Sequence, residues 1–133
     1  MESNTFLRGR NGTSAIEFAI ILPVFLLFLF GIIQFGFILY TQSDMFNAAR
    51  EAARRLSVDE TMTESQAQSI AENYLTSWPL SFTVTAENTG TTGDDFVRVT
   101  VTVPMSDAAF LADIVGLFED RTLSAQVVMR EEG

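Results

Sequence analysis

Residues 18–40 read FAIILPVFLLFLFGIIQFGFILY, 23 consecutive positions without a charge, in which Gln34 is the one strongly polar side chain. At about 1.5 Å rise per residue, a helix of this length covers roughly 34 Å. That is enough to cross the ~30 Å hydrocarbon core of a bilayer with some tilt. A core helix of a water-soluble protein keeps one polar face, and this stretch has none. A secretory signal has a shorter apolar region, about 7–15 residues, ending in small residues. Here the run is longer, and the following TQSDMF offers no such cleavage site. The segment therefore predicts a membrane-spanning helix. Pro23 falls in its first turns, where it removes one amide donor, a loss that spanning helices tolerate because neighbouring helices and hydroxyls satisfy the freed carbonyl. Gly31 and Gly36 flatten the surface for close helix packing, although they lack the G-x-x-x-G spacing of a dedicated dimer face.

Toward the amino terminus the span is preceded by Arg8-Gly9-Arg10-Asn11-Gly12-Thr13-Ser14-Ala15-Ile16-Glu17. A carboxylate in the middle of a span costs about 2.5–3.5 kcal/mol on insertion scales, and less near the interface. Glu17 at the edge thus asks for a reason. One is the positive end of the helix dipole, which favours an anion. A second follows from spacing. Cleavage after Gly12 would make Thr13 a new amino terminus with Glu17 at its fifth position. The ammonium of one subunit would then pair with Glu17 of an axially shifted neighbour, and each charge would offset the burial cost of the other. Gly12, without a side chain, suits the extended conformation a protease requires.

With these residues in place the chain resembles the type IV pilin superfamily, and within it the TadE-like minor pseudopilins of tight-adherence (Tad, or Flp) pili. The resemblance rests on Gly12, Thr13-Ser14-Ala15-Ile16, Glu17-Phe18 and the AIILPVFLLFLFGIIQFG that follows, then on NAAREAARRLS and the closing SAQVVMREE. It implies a cytoplasmic leader at 1–12, cut by an inner-membrane prepilin peptidase between Gly12 and Thr13, with Glu17 and Phe18 completing the processing motif. Phe18, where major pilins of this class carry Tyr, and the greater chain length point to a minor pseudopilin. The implied partners are inner-membrane lipid, the prepilin peptidase, other pilins or pseudopilins, and the pilus assembly platform. The alternative is a bitopic inner-membrane accessory protein that is never cut and scaffolds a pilus or secretion apparatus.

Arginine counts near the span give Arg8 and Arg10 on one side against Arg50, Arg54 and Arg55 on the other. The positive-inside rule thus slightly opposes a cytoplasmic amino terminus. The cleavage motif sets that orientation instead, with the carboxy-terminal portion periplasmic.

Beyond Tyr40 the helical pattern continues. Met45, Ala48, Ala49, Ala52, Ala53 and Leu56 form an apolar stripe at helical spacing, and Glu51 and Arg55 are placed for an i, i+4 ion pair. The reading is one long helix over 13–57, its second half forming a wall of a small core. Thr63 and Gln66 form a capping box for a second helix from Glu64 to Ser77, with Ile70, Tyr74 and Leu75 partly inward and Pro79 ending it. Alternation then predicts three strands: Leu80, Phe82, Val84 and Ala86 face inward on the first, Val97 to Val103 on the second, and Leu123, Ala125, Val127 and Met129 on the third. NTGTTGDD reads as the turn between the first two; its Asp94 and Asp95 lack the spacing of a calcium loop. MSDAAFLADIVGLFED reads as a short helix or compact loop with Phe110, Leu111, Ile114 and Leu117 at helical spacing. The expected fold is α+β: a long amino-terminal transmembrane helix running into a periplasmic domain over 58–133, with a second helix and a three-stranded antiparallel sheet.

Composition narrows the chemistry. The 133 residues hold 8 Arg and Lys together against 17 Asp and Glu, a net charge of −9, with no His and no Cys. Every cation is an arginine. Without His and Cys this sequence has no Ser–His or Cys–His nucleophile pair, no disulfide and no common zinc or haem ligand. Its acidity opposes nucleic-acid binding. Catalysis by paired carboxylates alone would need two acids converging in a cleft, whereas these are scattered along the chain. The expectation is a structural protein without catalytic residues, cofactor or metal.

Overall fold

The computed structural model describes residues 8–89, 96–109 and 121–130. Helix α1 spans Arg8–Val58, 51 residues, or about 76 Å. It starts earlier than expected: the backbone is already helical across Gly12 and Thr13. Pro23 lies inside it without ending it. At its far end the amide of Asp59 still reaches the Arg55 carbonyl at 3.1 Å. The Asp59 carboxylate then accepts bonds from the Thr61 amide at 3.0 Å and the Thr61 hydroxyl at 2.6 Å. This local capture of the backbone turns the chain.

Helix α2 occupies Glu64–Leu75 and starts at the expected capping box. The Gln66 amide donates to the Thr63 hydroxyl at 3.3 Å, and the Thr63 amide donates back to the Gln66 side chain at 2.9 Å. The helix ends two residues before Ser77, where tighter i→i−3 bonds, such as Trp78 amide to Leu75 carbonyl at 3.0 Å, close its last turn. As expected, Leu75 is buried and Ile70 packs partly buried against the core. Ala71 and Ala67, four and eight residues before Leu75, are buried as well, while Tyr74 is half exposed. The small side chains bring α2 close to its neighbours, and the bulky ring is left outside.

Strands β1 (Thr83–Thr89), β2 (Phe96–Pro104) and β3 (Thr122–Arg130) form an antiparallel sheet in the order β1-β2-β3. Val84 pairs with Val101, and Val101 with Ala125. Leu80 and Phe82 precede β1 rather than lying in it, packed against the core. Val97, Val99, Val101 and Val103 are fully buried, so the period of two puts a single apolar face against the helices. Opposite them, Met45, Ala48, Ala49, Ala52 and Ala53 of α1 are also fully buried. The long helix is one wall of the core, and the fold is α+β. Between β2 and β3 a single turn, α3 (Met105–Ala108), is followed by undescribed residues; the Met105 amide bonds the Arg121 carbonyl at 2.8 Å, which ties the two ends of that connection. Phe110, Leu111, Ile114 and Leu117, Asp94 and Asp95, and residues 1–7 of the expected leader lie outside the described residues.

Candidate functional site: the long helix and its junction with the folded unit

The first half of α1 projects away from the core. Ile20 is 71% exposed and Phe28 69%, and no part of the most apolar window is buried. Six of the twelve phenylalanines lie between residues 18 and 37. Among the described residues no other helix is long and apolar enough to cross a membrane. In water so much apolar surface would be strongly unfavourable at about 25 cal/mol per Å²; in a bilayer it is in its own solvent, and the backbone bonds are satisfied within the helix.

Gly12, Thr13, Glu17 and Phe18 are all exposed on the first turns of this projecting half. Thr13 and Glu17, four residues apart, share one helix face. A Cβ added at Gly12 would meet nothing within 4 Å, so this glycine is not required by packing among the described residues. The Gly12–Thr13 peptide is helical, and a protease would have to unwind it. The local sequence eases this: Gly9 and Gly12 each disfavour helix by about 1 kcal/mol relative to Ala, and the first turn contains no acidic residue to complement the dipole. Gly31 and Gly36 are equally open. Five residues apart, they point about 140° from each other around the axis, so the helix does not bring them into one groove. Pro23 leaves the Ala19 carbonyl without its usual helical partner.

Where the span meets the folded unit, a cluster forms that the sequence pattern did not single out. The Trp78 ring packs edge-on to Phe37 with centroids 5.5 Å apart and tilts against Tyr40 at 5.3 Å. Its indole N–H donates to Asp44 Oδ2 at 3.1 Å. One turn below Phe37, the Gln34 side-chain amide donates to the Ala108 carbonyl at 3.2 Å. One turn above it, Thr41 is fully buried, and its hydroxyl has no hydrogen-bond partner among the described residues. The available signal was a lone Trp beside a proline, in a chain whose span ends in Tyr.

Farther along α1, Arg55 bonds Glu51 at 2.7 Å and Arg54 lies 3.7 Å from the same carboxylate. The hydrogen bond from Arg55 holds the Glu51 carboxyl below its ordinary value against an opposing desolvation, with both positive charges adding to the lowering. Arg54, Arg55, Val58, Asp59 and Met62 border a surface cleft of about 340 Å³, lined by both signs of charge. Among the described residues no group of three His, Cys, Asp or Glu is placed to hold a metal ion.

Residues 12–54 match the model of a family described as TadE-like protein. The similarity lies within the long helix. The matched segment is about a third of the chain; it begins at Gly12, takes in the whole exposed span, and ends within the buried alanine stripe. No curated protein and no solved structure gives a match.

Proposed function

We propose that this chain is a membrane-anchored minor pseudopilin that takes part in assembling a Tad-type pilus used for surface adherence. The observation that carries the reading is the position of the TadE-like match, which opens at Gly12 and runs through the apolar helix into the folded unit. In this reading residues 1–12 are a cytoplasmic leader, the prepilin peptidase cuts between Gly12 and Thr13, and residues 58–133 lie in the periplasm. The freed Thr13 ammonium pairs with Glu17 of a neighbouring subunit and fixes their axial offset, while Phe18 flanks the cut site. Extraction from lipid replaces acyl chains by partner helices of similar polarity, so shape and a few polar contacts decide the packing. Pro23, Gly31 and Gly36 supply local relief on that surface. The role is structural rather than enzymatic, and the partners are bilayer lipid, the peptidase, other pilins and the assembly platform.

The test is the intact mass of protein extracted from membranes of cells that contain the cognate peptidase. The expected product starts at Thr13. An intact leader overturns the pilin reading and leaves an uncleaved bitopic accessory protein, which the helical Gly12–Thr13 peptide would suit. In the same cells Glu17→Ala is expected to insert normally but to abolish most piliation; normal pili would overturn the role given to the charge pair.

A further inference from the structure

We propose that the folded unit lies directly on the bilayer, with Trp78 as an interfacial anchor in the headgroup layer, and not at the end of a helical stalk above it. This rests on the membrane-anchored reading and adds the lipid interface as a partner of the folded unit itself.

The argument begins with length. About 20 helical residues cross the hydrocarbon core; counted from Phe18, the first position after Glu17, the far boundary falls near Phe37. Phe37 and Tyr40 are the two rings against which Trp78 packs, at 5.5 and 5.3 Å. Trp78 thus belongs to a loop of the folded unit yet sits at the level where the span leaves the apolar layer. Its polarity is oriented accordingly. The ring faces the two aromatic side chains, while the N–H reaches Asp44 at 3.1 Å, about 6 Å farther along the axis than Tyr40. An apolar body on the lipid side and a polar tip on the water side is the arrangement that draws Trp and Tyr to membrane interfaces.

A second contact places another part of the unit at the same level. Gln34, one turn on the lipid side of Phe37, donates its amide to the Ala108 carbonyl at 3.2 Å. A polar amide within the edge of the apolar layer is costly when unpaired, and the α3 turn reaches down to satisfy it. The height of the unit is also fixed, because α1 is continuous and its residues Met45 to Leu56 are locked in the core. Sliding away from the bilayer would require pulling the span itself.

Trp78 is the one tryptophan in the chain, so its fluorescence reports this position alone. The full chain is reconstituted into phosphatidylcholine/phosphatidylglycerol vesicles, and emission is quenched either by lipids brominated at defined acyl depths or by aqueous iodide. Bromines near the carbonyl end are expected to quench severalfold more than bromines near the methyl end, and iodide is expected to quench only weakly. Strong iodide quenching without lipid quenching, in protein that resists alkaline extraction, overturns the proposal and leaves the membrane reading standing. Protein that fails to partition into vesicles overturns both. The double variant Trp78→Phe/Tyr40→Trp moves the probe to α1 and is expected to report the same shallow depth. A deep or fully aqueous position would place the boundary elsewhere and overturn the proposal.

Discussion

Helix α1 contains two halves that share a backbone and little else. Between residues 18 and 33 it carries large apolar side chains on every face, all of them exposed except Leu22, which is partly covered. From Met45 to Leu56 it carries alanines on one face, buried, and Arg50, Arg54 and Arg55 on the other, exposed. Bulk without direction suits a liquid-like apolar solvent, in which any rotation about the axis is equivalent. Small residues in a stripe suit a protein neighbour, because they let a sheet and a second helix approach the backbone closely. Side-chain size, more than hydrophobicity, separates the exposed half from the half packed in the core.

The widest gap between the halves should appear on enlarging a buried alanine. Ala52 is fully enclosed between α1 and its neighbours, so Ala52→Leu forces the sheet or α2 outward. Overpacking of this kind costs about 1–3 kcal/mol, which in a domain this small lowers Tm by on the order of 10 °C. The measurement is a thermal melt in detergent micelles followed by the β-sheet circular dichroism signal. Leu27→Ala, a comparable volume change in the exposed half, is expected to leave the same melt unchanged. If the two variants melt alike, the contrast between the halves is wrong.

A smaller effect tests where one half passes into the other. Thr41 is fully buried with its hydroxyl unpaired among the described residues, and an unsatisfied buried polar group costs about 1–3 kcal/mol. Thr41→Val keeps the branched shape and removes the hydroxyl. It should raise Tm by a few degrees, consistent with a gain of about 1 kcal/mol. A fall in Tm would mean that the hydroxyl is satisfied in solution and that the boundary is more polar than its burial suggests.

Local and periodic features of this architecture were legible in the sequence. The long apolar helix announced itself by length, the alanine stripe by its 3–4 spacing, the capping box by Thr63 and Gln66, and the strands of the meander by alternation. Contacts between distant segments were not. Nothing in the pattern around Trp78 specifies that its ring meets Phe37, because that contact depends on how the loop after α2 returns to α1. The inward face of α2 goes beyond its pattern for a related reason: Tyr74 offers more apolar area than Ala67 or Ala71, but those two alanines, with Leu75, take the positions buried in the core and Tyr74 is left half exposed. At the amino-terminal end of α1 the sequence reading started the helix at residue 13, whereas the backbone is already helical from Arg8.

The smallest expected effect concerns the outer face of the domain-held half. Arg55 donates to Glu51 at 2.7 Å, but its side chain is half exposed, so solvent and salt screen the pair strongly. The Glu51 carboxyl lies below its ordinary value of 4.5 because Arg55 bonds the charged form. Folding therefore favours the deprotonated state, and the stabilisation is fully present above about pH 4.5 and lost as pH falls through the lowered folded-state value. Comparing the melts of wild type and Glu51→Gln isolates this pair, since Asp59, whose carboxyl the Thr61 bonds also hold low, is common to both. The difference in Tm should be barely measurable at neutral pH, shrink further in high salt, and disappear in acid. A difference that grew on acidification would mean that Glu51 is held by something other than its arginines, and that the exposed side of this half is more than a solvated charge pair.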